Sequence, residues 1–186
     1  MAEFHITLGS MFAGKSTELI KNYNNLINNG ILESELLVIN HISDKRYSND
    51  SSICTHDGTK ITSISLNNLS TIHTLYTSTY LSETVKYIFI DECQFFNDLY
   101  DVVKELLLKY KKKIYIYGLD GDYKQKPFYN SRMLDLIPFA TTVQKKTSKC
   151  YQCNEPASCT KRLINSEEQI FIGGASEYQP VCLNHL

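Results

Sequence analysis

Gly9-Ser10-Met11-Phe12-Ala13-Gly14-Lys15-Ser16, followed by Thr17, matches the pattern G-x-x-x-x-G-K-[S/T] without a mismatch. An apolar run at residues 4–8 precedes the stretch, and a helical pattern begins at about Ser16. In such a loop the backbone N–H groups point at phosphate oxygens, and the helix that follows adds its positive end to the same anion. A glycine-rich turn that matched the pattern by chance would not have to lie between a strand and a helix. The stretch therefore predicts a P-loop, with Lys15 on the β- and γ-phosphates of ATP and the Ser16 hydroxyl on Mg²⁺.

The sequence around this loop alternates between apolar runs and amphipathic segments. Apolar runs predict buried strands at residues 36–40 and 87–90 and a further strand at residues 114–117, in addition to a short strand at residues 4–8. Apolar side chains at helical spacing predict one helix from about residue 16 to Asn29-Gly30 and another over residues 99–110. Residues 41–60 are polar and predict a loop. The alternation indicates an α/β fold over residues 1–149, a RecA-like P-loop domain with a parallel sheet flanked by helices.

Two carboxylates, Asp91 and Glu92, follow the predicted strand at residues 87–90. Asp91 is placed to hold Mg²⁺ opposite Ser16, and Glu92 then remains available to act on a nucleophile. The alternative is that both residues merely cap the helix beginning near Asn97, although Asp98 alone could do so. A base at this position allows two reactions. It can activate water, as in an ATPase, or accept the proton of a substrate hydroxyl, as in a kinase.

From about residue 150 the sequence becomes rich in cysteines and turns. Cys150-Tyr-Gln-Cys153 and Cys182-Leu-Asn-His185 provide four ligands for tetrahedral Zn²⁺, which leaves no open position and predicts a structural site. Cys159 is an alternative to His185 as the fourth ligand. A DNA-binding zinc ribbon is the alternative function for this segment. We predict a small zinc-binding subdomain over residues 150–186.

Composition excludes several other classes. The 186 residues carry 19 Lys plus Arg against 20 Asp plus Glu, so there is no basic excess of the kind that nucleic-acid binding favours. No apolar run approaches the roughly 20 residues of a membrane helix, and the first residues do not resemble a signal peptide. We expect a cytoplasmic protein without nucleic-acid or membrane partners, in which the six cysteines are thiols or metal ligands.

Four separated motifs together resemble a known family. They are the P-loop G-S-M-F-A-G-K-S-T, D-E-C-Q-F-F at residues 91–96, L-D-G-D-Y-K-Q-K-P-F at residues 119–128, and two zinc knuckles that bracket I-G-G-A-S-E-Y at residues 172–178. Their order and spacing are similar to those of the type II thymidine kinase family over nearly the whole chain. The resemblance implies transfer of the γ-phosphate of ATP to the 5′-hydroxyl of thymidine. It also implies a homotetramer that is inhibited by the end product dTTP.

The resemblance also implies roles for individual residues. Glu92 corresponds to the proton acceptor, and Asp44, Arg46, Asp91 and Gln94 correspond to residues at ATP and its metal. The thymidine pocket would be lined by Met11, Phe95, Leu119, Tyr123, Phe128, Thr160, Gln169, Ile170, Phe171, Ile172, Gly173 and Tyr178.

Three further points concern how this sequence fits the family. Residues 169–173 match a "lasso" loop whose backbone recognises the base, and a zinc clip would hold the ends of that loop. Tyr123 stands where family members commonly have Phe, so its hydroxyl is expected to alter an aromatic contact with the nucleoside. His185 stands where many have Cys. The rival function is an ATP-driven motor with a zinc-stabilised binding element, which predicts ATP hydrolysis without a nucleoside.

Overall fold

The computed structural model describes residues 1–44, 52–54, 59–76 and 80–186, so the sequence-based prediction for Arg46 lies outside the described residues. The strands are, in chain order, β1 (Glu3–Gly9), β2 (Leu36–His41), β3 (Ser52–Cys54), β4 (Lys60–Thr62), β5 (Ile64–Leu66), β6 (Tyr87–Ile90), β7 (Lys113–Gly118), β8 (Thr142–Lys146), β9 (Ser148–Lys149), β10 (Pro156–Ala157), β11 (Cys159–Arg162) and β12 (Tyr178–Val181). The α-helices are α1 (Lys15–Asn28), α2 (Ile72–Leu75) and α3 (Leu99–Leu108). Short 3₁₀ or π helices lie at Glu33–Glu35, Leu69–Thr71, Tyr80–Thr84, Cys93–Phe95, Met133–Phe139 and Leu183–His185.

Six parallel strands form the central sheet, in the order β5-β2-β6-β7-β1-β8. Side chains alternate between its two faces. On β6, Ile88 and Ile90 pack in a core with Val103 of α3, whereas Phe89 packs with Leu19 of α1. Helices therefore cover both faces, which is why β6 is buried at every position. The predicted α/β fold with a parallel sheet is confirmed.

The sheet is wider than the apolar runs predicted. β8 pairs with β1 at the sheet edge, and its residues 142–145 are exposed, so it carries no apolar run. β5 is only three residues long. The prediction of a loop over residues 41–60 is wrong at Ser52–Cys54, which pairs antiparallel with β4. Here Ile53 is buried in the core that contains α1, although polar residues surround it in the sequence.

The C-terminal segment forms two small antiparallel pairs, β9 with β10 and β11 with β12. Its own core is small and is built from Cys150, Ala157, Cys159, Val181 and Cys182. Two hydrogen bonds join this segment to the predicted P-loop. Ser10 Oγ donates to the Ala157 carbonyl at 3.0 Å, and the Met11 backbone N–H donates to Thr160 Oγ1 at 3.0 Å. Among the described residues, no helix combines the length and apolarity that crossing a bilayer requires.

Candidate active site

The candidate site lies at the carboxyl ends of β1, β6 and β7, which adjoin one another in the parallel sheet. Ligands of open α/β sheets bind at this edge, because the strand-to-helix loops converge there. Residues 10–14 follow β1, the carboxylates Asp91 and Glu92 follow β6, and residues 119–123 follow β7. The segment between β11 and β12, from the C-terminal part of the chain, also lines the site.

The loop after β1 fits closely against β8. A Cβ atom on Gly9 would lie 2.3 Å from the carbonyl oxygen of Lys146, so only glycine fits there without movement of the backbone. Phe12 and Gly14 adopt positive φ values of 62° and 73°, which turn the backbone around the loop. Lys15 begins α1, and its ammonium donates to the carbonyl of Ser10 at 2.8 Å. A cation and a helix N-terminus therefore meet inside one loop, as anion binding requires.

Asp91 is buried, and its Oδ2 accepts a hydrogen bond of 2.8 Å from the Ser16 hydroxyl. Burial is the main cause that raises the pKa of Asp91 to about 7, and the negative charges of Glu92 and, more weakly, Asp44 add to it. The Ser16 hydrogen bond acts in the opposite direction. Hydroxyl and carboxylate oxygens are the ligands that Mg²⁺ prefers. The residues thus fit a magnesium site, where the metal charge would favour ionised Asp91.

Glu92 is also buried, and its backbone adopts φ 49° and ψ 38°. This left-handed conformation is uncommon outside glycine and costs about 1–3 kcal/mol where it occurs, often at functional sites. Its carboxylate accepts a hydrogen bond from the side chain of Gln94 at 2.6 Å. A carboxylate that lines a pocket and is held by a hydrogen bond suits proton transfer.

One pocket contains most of the residues that the sequence singles out. The predicted site residues that line it are Met11, Phe12, Ala13, Gly14, Lys15, Ser16, Thr17, Asp44, Glu92, Phe95, Leu119, Tyr123, Phe128, Thr160, Gln169, Ile170, Phe171, Ile172, Gly173 and Tyr178. Gly9, Ser10, Asp91 and Gln94 lie behind this lining and contact its residues instead. The segment predicted to bind phosphate and the segment at residues 169–173 therefore line one space.

Sequence reasoning missed five other residues of this lining, which are Ser43, Ile53, Gly121, Asp122 and Arg162. The sequence could have suggested Asp122 as a site residue, because it is a second carboxylate in the loop after β7, at the same sheet edge as Asp91. It could also have suggested Arg162, because the chain has only three arginines, Arg46, Arg132 and Arg162, and such scarcity draws attention to each. Nothing in the sequence suggested Ile53, since its strand is three residues long.

Arg162 and Tyr178 hold the segment between β11 and β12 by its carbonyl groups. Arg162 Nη1 donates to the carbonyls of Ser166 at 3.0 Å and Glu168 at 2.5 Å, and Nη2 donates to that of Gln169 at 3.2 Å. Tyr178 donates its hydroxyl to the carbonyl of Phe171 at 2.7 Å and accepts from Arg162 Nη2 at 2.8 Å. The loop is thus attached to the walls of the pocket at successive backbone groups.

Side chains add a second attachment on the opposite side of the same loop. Gln169 donates through Nε2 to Asp122 Oδ2 at 2.9 Å and to the Pro127 carbonyl at 3.1 Å. These contacts join the loop to the segment after β7. The exposed apolar side chains of Ile170, Phe171 and Ile172 follow directly.

The predicted metal ligands Cys150, Cys153, Cys182 and His185 lie together, and their ligand atoms are all within 4.8 Å of one another. Cys153 Sγ and Cys182 Sγ are 3.7 Å apart, and Cys182 Sγ is 3.2 Å from His185 Nδ1. Sulfur atoms bound tetrahedrally to one Zn²⁺ lie about 3.8 Å apart, given Zn–S distances of about 2.3 Å. Burial opposes ionisation of Cys150, but backbone N–H groups and His185 lower the pKa of its thiol overall. The residues therefore fit a tetrahedral metal site.

A phosphate loop that faces carboxylates at the edge of a parallel sheet is typical of enzymes that transfer phosphoryl groups. Comparisons with known proteins narrow this class. A family model described as "Thymidine kinase" matches residues 2–186. The chain is 39% identical over 184 residues to a thymidine kinase of Oryza sativa, covering 98% of the chain and 65% of that protein. It is 37% identical to a thymidine kinase of Myxoma virus (97% and 93% covered) and 36% identical to the human cytosolic thymidine kinase (97% and 71%).

The family model covers almost the whole chain, and these relatives exceed 30% identity along it. The chain therefore belongs to the thymidine kinase family.

Proposed function

We propose that this chain transfers the γ-phosphate of ATP to the 5′-hydroxyl of thymidine, with Glu92 as the base that accepts the hydroxyl proton. Phosphorylation of thymidine with ATP as donor follows from membership of the family. One observation supports the residue assignment most directly. Glu92 lines the same pocket as the phosphate loop at residues 11–17 and the loop at residues 169–173. A general base must lie within hydrogen-bonding reach of the hydroxyl that attacks the phosphoryl donor.

The phosphoryl donor would bind along residues 9–17. Backbone N–H groups of the loop and the Lys15 ammonium would neutralise the β- and γ-phosphates, and Ser16 and Asp91 would hold Mg²⁺. When bound, the metal supplies positive charge to the phosphate oxygens. Asp44 accepts a hydrogen bond from Asn40 Nδ2 at 3.2 Å and lines the pocket, which suits a role near the triphosphate. Arg46 keeps its predicted role in binding the triphosphate.

The nucleoside would bind between Phe95, Phe128 and the loop at residues 169–173, which we propose as the lasso loop. Leu119, Thr160 and Tyr178 complete this side of the pocket. Aromatic and aliphatic side chains offer flat surfaces for a pyrimidine ring and exclude water from the reacting hydroxyl. Since this pocket is continuous with the phosphate loop, dTTP could occupy both regions at once, which supports end-product inhibition.

A structural Zn²⁺ held by Cys150, Cys153, Cys182 and His185 would fix the base of the lasso loop. β11 and β12 begin and end beside these ligands and pair from Cys159 with Val181 to Arg162 with Tyr178. The same strands carry Thr160, which accepts the Met11 N–H of the phosphate loop. We propose that residues 150–186 act as a substrate-binding subdomain for this reason.

The test of the proposal is Glu92→Gln, which keeps the shape of the side chain and removes its basicity. We expect kcat for thymidine phosphorylation to fall by about 10²–10⁴-fold, while ATP binding is retained. Glu105→Gln, on α3 and outside the pocket, is the matched control. An ATP-driven motor would instead release phosphate from ATP without thymidine, and near wild-type turnover of Glu92→Gln would contradict the assignment of the base.

A further inference from the structure

Gln94 occupies a buried position immediately behind the candidate base. It lies in the 3₁₀ turn Cys93–Phe95, and the residue is 2% exposed. Its amide nitrogen Nε2 is 2.6 Å from Glu92 Oε2, and its amide oxygen Oε1 is 3.0 Å from the backbone nitrogen of Leu119. One side chain thus connects Glu92 to the first residue after β7, which itself lines the pocket.

The chemistry of the two partners fixes the orientation of this amide. A backbone N–H can only donate, so Leu119 requires the oxygen of the amide on its side. An ionised carboxylate can only accept, so Glu92 requires the nitrogen. Both partners demand the same orientation, and a rotated amide would lose both hydrogen bonds. Gln94 is therefore held in one arrangement that presents a donor to Glu92.

Packing against β7 encloses the amide further. A Cβ atom on Gly118 would lie 2.8 Å from Gln94 Oε1, and also 2.5 Å from Cys93 Sγ and 2.9 Å from Met133 Sδ. Contacts that short require movement of the neighbours, so the space beside Gln94 exists only because residue 118 is glycine. The 3₁₀ turn after Glu92 therefore packs closely against the end of β7.

Glu92 needs such support because its own side chain is long. General base catalysis requires the carboxylate oxygen to lie within about 2.6–3.2 Å of the proton that it accepts. The hydrogen bond from Gln94 to Oε2 restricts the orientation of the carboxylate of Glu92, which lines the pocket. The sequence resemblance assigned Gln94 to ATP and its metal, whereas in the structure both ends of its amide contact protein groups.

We infer that Gln94 is a positioning residue for Glu92, which holds the catalytic carboxylate against the loop after β7, rather than a ligand of ATP or Mg²⁺. The inference rests on the proposed role of Glu92 as the base. Gln94 acts on the chemical step through Glu92 and makes no contact with either substrate.

Two substitutions separate its two hydrogen bonds. Gln94→Met keeps the length of the side chain and removes both bonds, whereas Gln94→Glu keeps an acceptor for the Leu119 N–H and loses the donor to Glu92. We expect both variants to lower kcat by roughly 10–100-fold, because a misplaced base loses reach to its proton. We expect KM for MgATP and for thymidine to stay within about twofold, since neither substrate contact is removed. Gln144→Met, at an exposed position on β8, is the matched control.

Other roles predict different outcomes. A ligand of MgATP would raise KM for MgATP in Gln94→Met, and Gln94→Glu would restore it. A residue that only supports Leu119 would lower the melting temperature in Gln94→Met and leave kcat unchanged. Either result overturns the inference. Melting temperature and ATP binding of each variant show that the fold is kept, and if Gln94→Met does not fold, Gln94→Asn, whose shorter amide cannot reach both partners, replaces it.

A double variant tests the connection to Glu92 directly. Residues that act as a unit are non-additive, so Gln94→Met should change the residual kcat of Glu92→Gln by less than about twofold. Additive losses would contradict the inference. If Glu92→Gln itself keeps wild-type turnover, the base assignment fails. If Glu92→Gln is impaired and the Gln94 variants are not, only the role of Gln94 fails.

Discussion

The guanidinium carbon of Arg162 lies 3.8 Å from the centroid of the Tyr123 ring, so the arginine covers one face of that ring. Arg162 is 9% exposed and donates its N–H groups to the carbonyls of Ser166, Glu168 and Gln169 and to the Tyr178 hydroxyl. The aromatic ring, expected from the resemblance to pack on the nucleoside, thus packs on the residue that holds the loop. A planar guanidinium can stack and donate at the same time, which an ammonium cannot do.

We therefore predict that Arg162→Lys weakens thymidine binding. The variant keeps the charge but loses the planar set of donors, and hydrogen bonds to charged groups contribute about 1.5–3 kcal/mol. KM for thymidine should rise roughly tenfold or more, while KM for ATP changes by less than about twofold. Steady-state kinetics with each substrate varied in turn measure both values.

Arg132 offers a matched control for this prediction. Its guanidinium also lies 3.8 Å from an aromatic centroid, that of Tyr100, but it is exposed and pairs with Asp135. Arg132→Lys should leave both KM values unchanged. Tyr123→Phe keeps the stacking surface and should also be close to neutral, so a large loss in Tyr123→Phe would show that the hydroxyl, not the ring, is the important group.

A second prediction concerns Asp91 and pH. Folding raises the pKa of this carboxyl from 3.8 to about 7, first through burial and then through the charge of Glu92. The folded protein therefore binds this proton more tightly than the unfolded chain, and its free energy of unfolding decreases as pH rises between these two values. At pH 8 Asp91→Asn removes the free-energy cost of burying an ionised carboxylate, since a neutral amide needs no counter-charge.

Without added Mg²⁺ we expect Asp91→Asn to melt at a higher temperature than the wild type at pH 8, by roughly 3 °C or more, because 1 kcal/mol corresponds to about 2–4 °C for a chain of this size. The difference should shrink as pH falls below the raised pKa of Asp91. Mg²⁺ with ATP should stabilise the wild type and not the variant, and the variant should lose turnover. Thermal unfolding monitored at pH 5 and pH 8 checks this, and a less stable Asp91→Asn at pH 8 would contradict it.

The sequence predicted those parts of the site whose chemistry is local. The P-loop, the Asp91-Glu92 pair and the two knuckles each lie within a few consecutive residues, where residue type and spacing determine geometry. Buried strands such as β6 were predictable for the same reason, because both of their faces are apolar. β8 was not, since it lies at the sheet edge and its polar side chains face outward.

Contacts between distant segments were not predictable in the same way. The partners of Arg162 are four carbonyl and hydroxyl groups along residues 166–178, and backbone carbonyls carry no signature in the sequence. The contact of Gln94 with Leu119 depends on the register in which β6 pairs with β7 and on Gly118. Such contacts arise from tertiary packing, which pattern and propensity do not encode.

The metal site gives a third prediction. Protein purified without chelators should contain one zinc ion per chain, because four ligand atoms within 4.8 Å of one another match a closed tetrahedral site. Cys182→Ser should lose the metal in elemental analysis. Cys159→Ser should keep it, since Cys159 lies on β11 outside the cluster of ligands. Loss of zinc from Cys159→Ser would contradict this set of ligands and make Cys159 a ligand in place of His185.

The last prediction concerns protection of the segment between β11 and β12 from proteolysis by a bound nucleoside. Among residues 163–186 there is no lysine or arginine, whereas Glu167 and Glu168 are exposed, and the Glu167 side chain is 96% exposed. A glutamate-specific protease should therefore cut the loop in the free protein. Ile170, Phe171 and Ile172 are exposed at its tip and would be covered by a bound base, which orders the segment as binding commonly does. Thymidine should slow cleavage at residues 167–168 much more than ATP does, while cleavage at the exposed Glu155 serves as the internal control.

Glu167→Gln with Glu168→Gln should abolish the fragment and confirm the site of cleavage. Because the unoccupied fraction of the site falls as thymidine binds, cleavage should decrease with thymidine concentration and level off once the site is saturated. Equal cleavage with and without saturating thymidine would show that this loop does not bind the base.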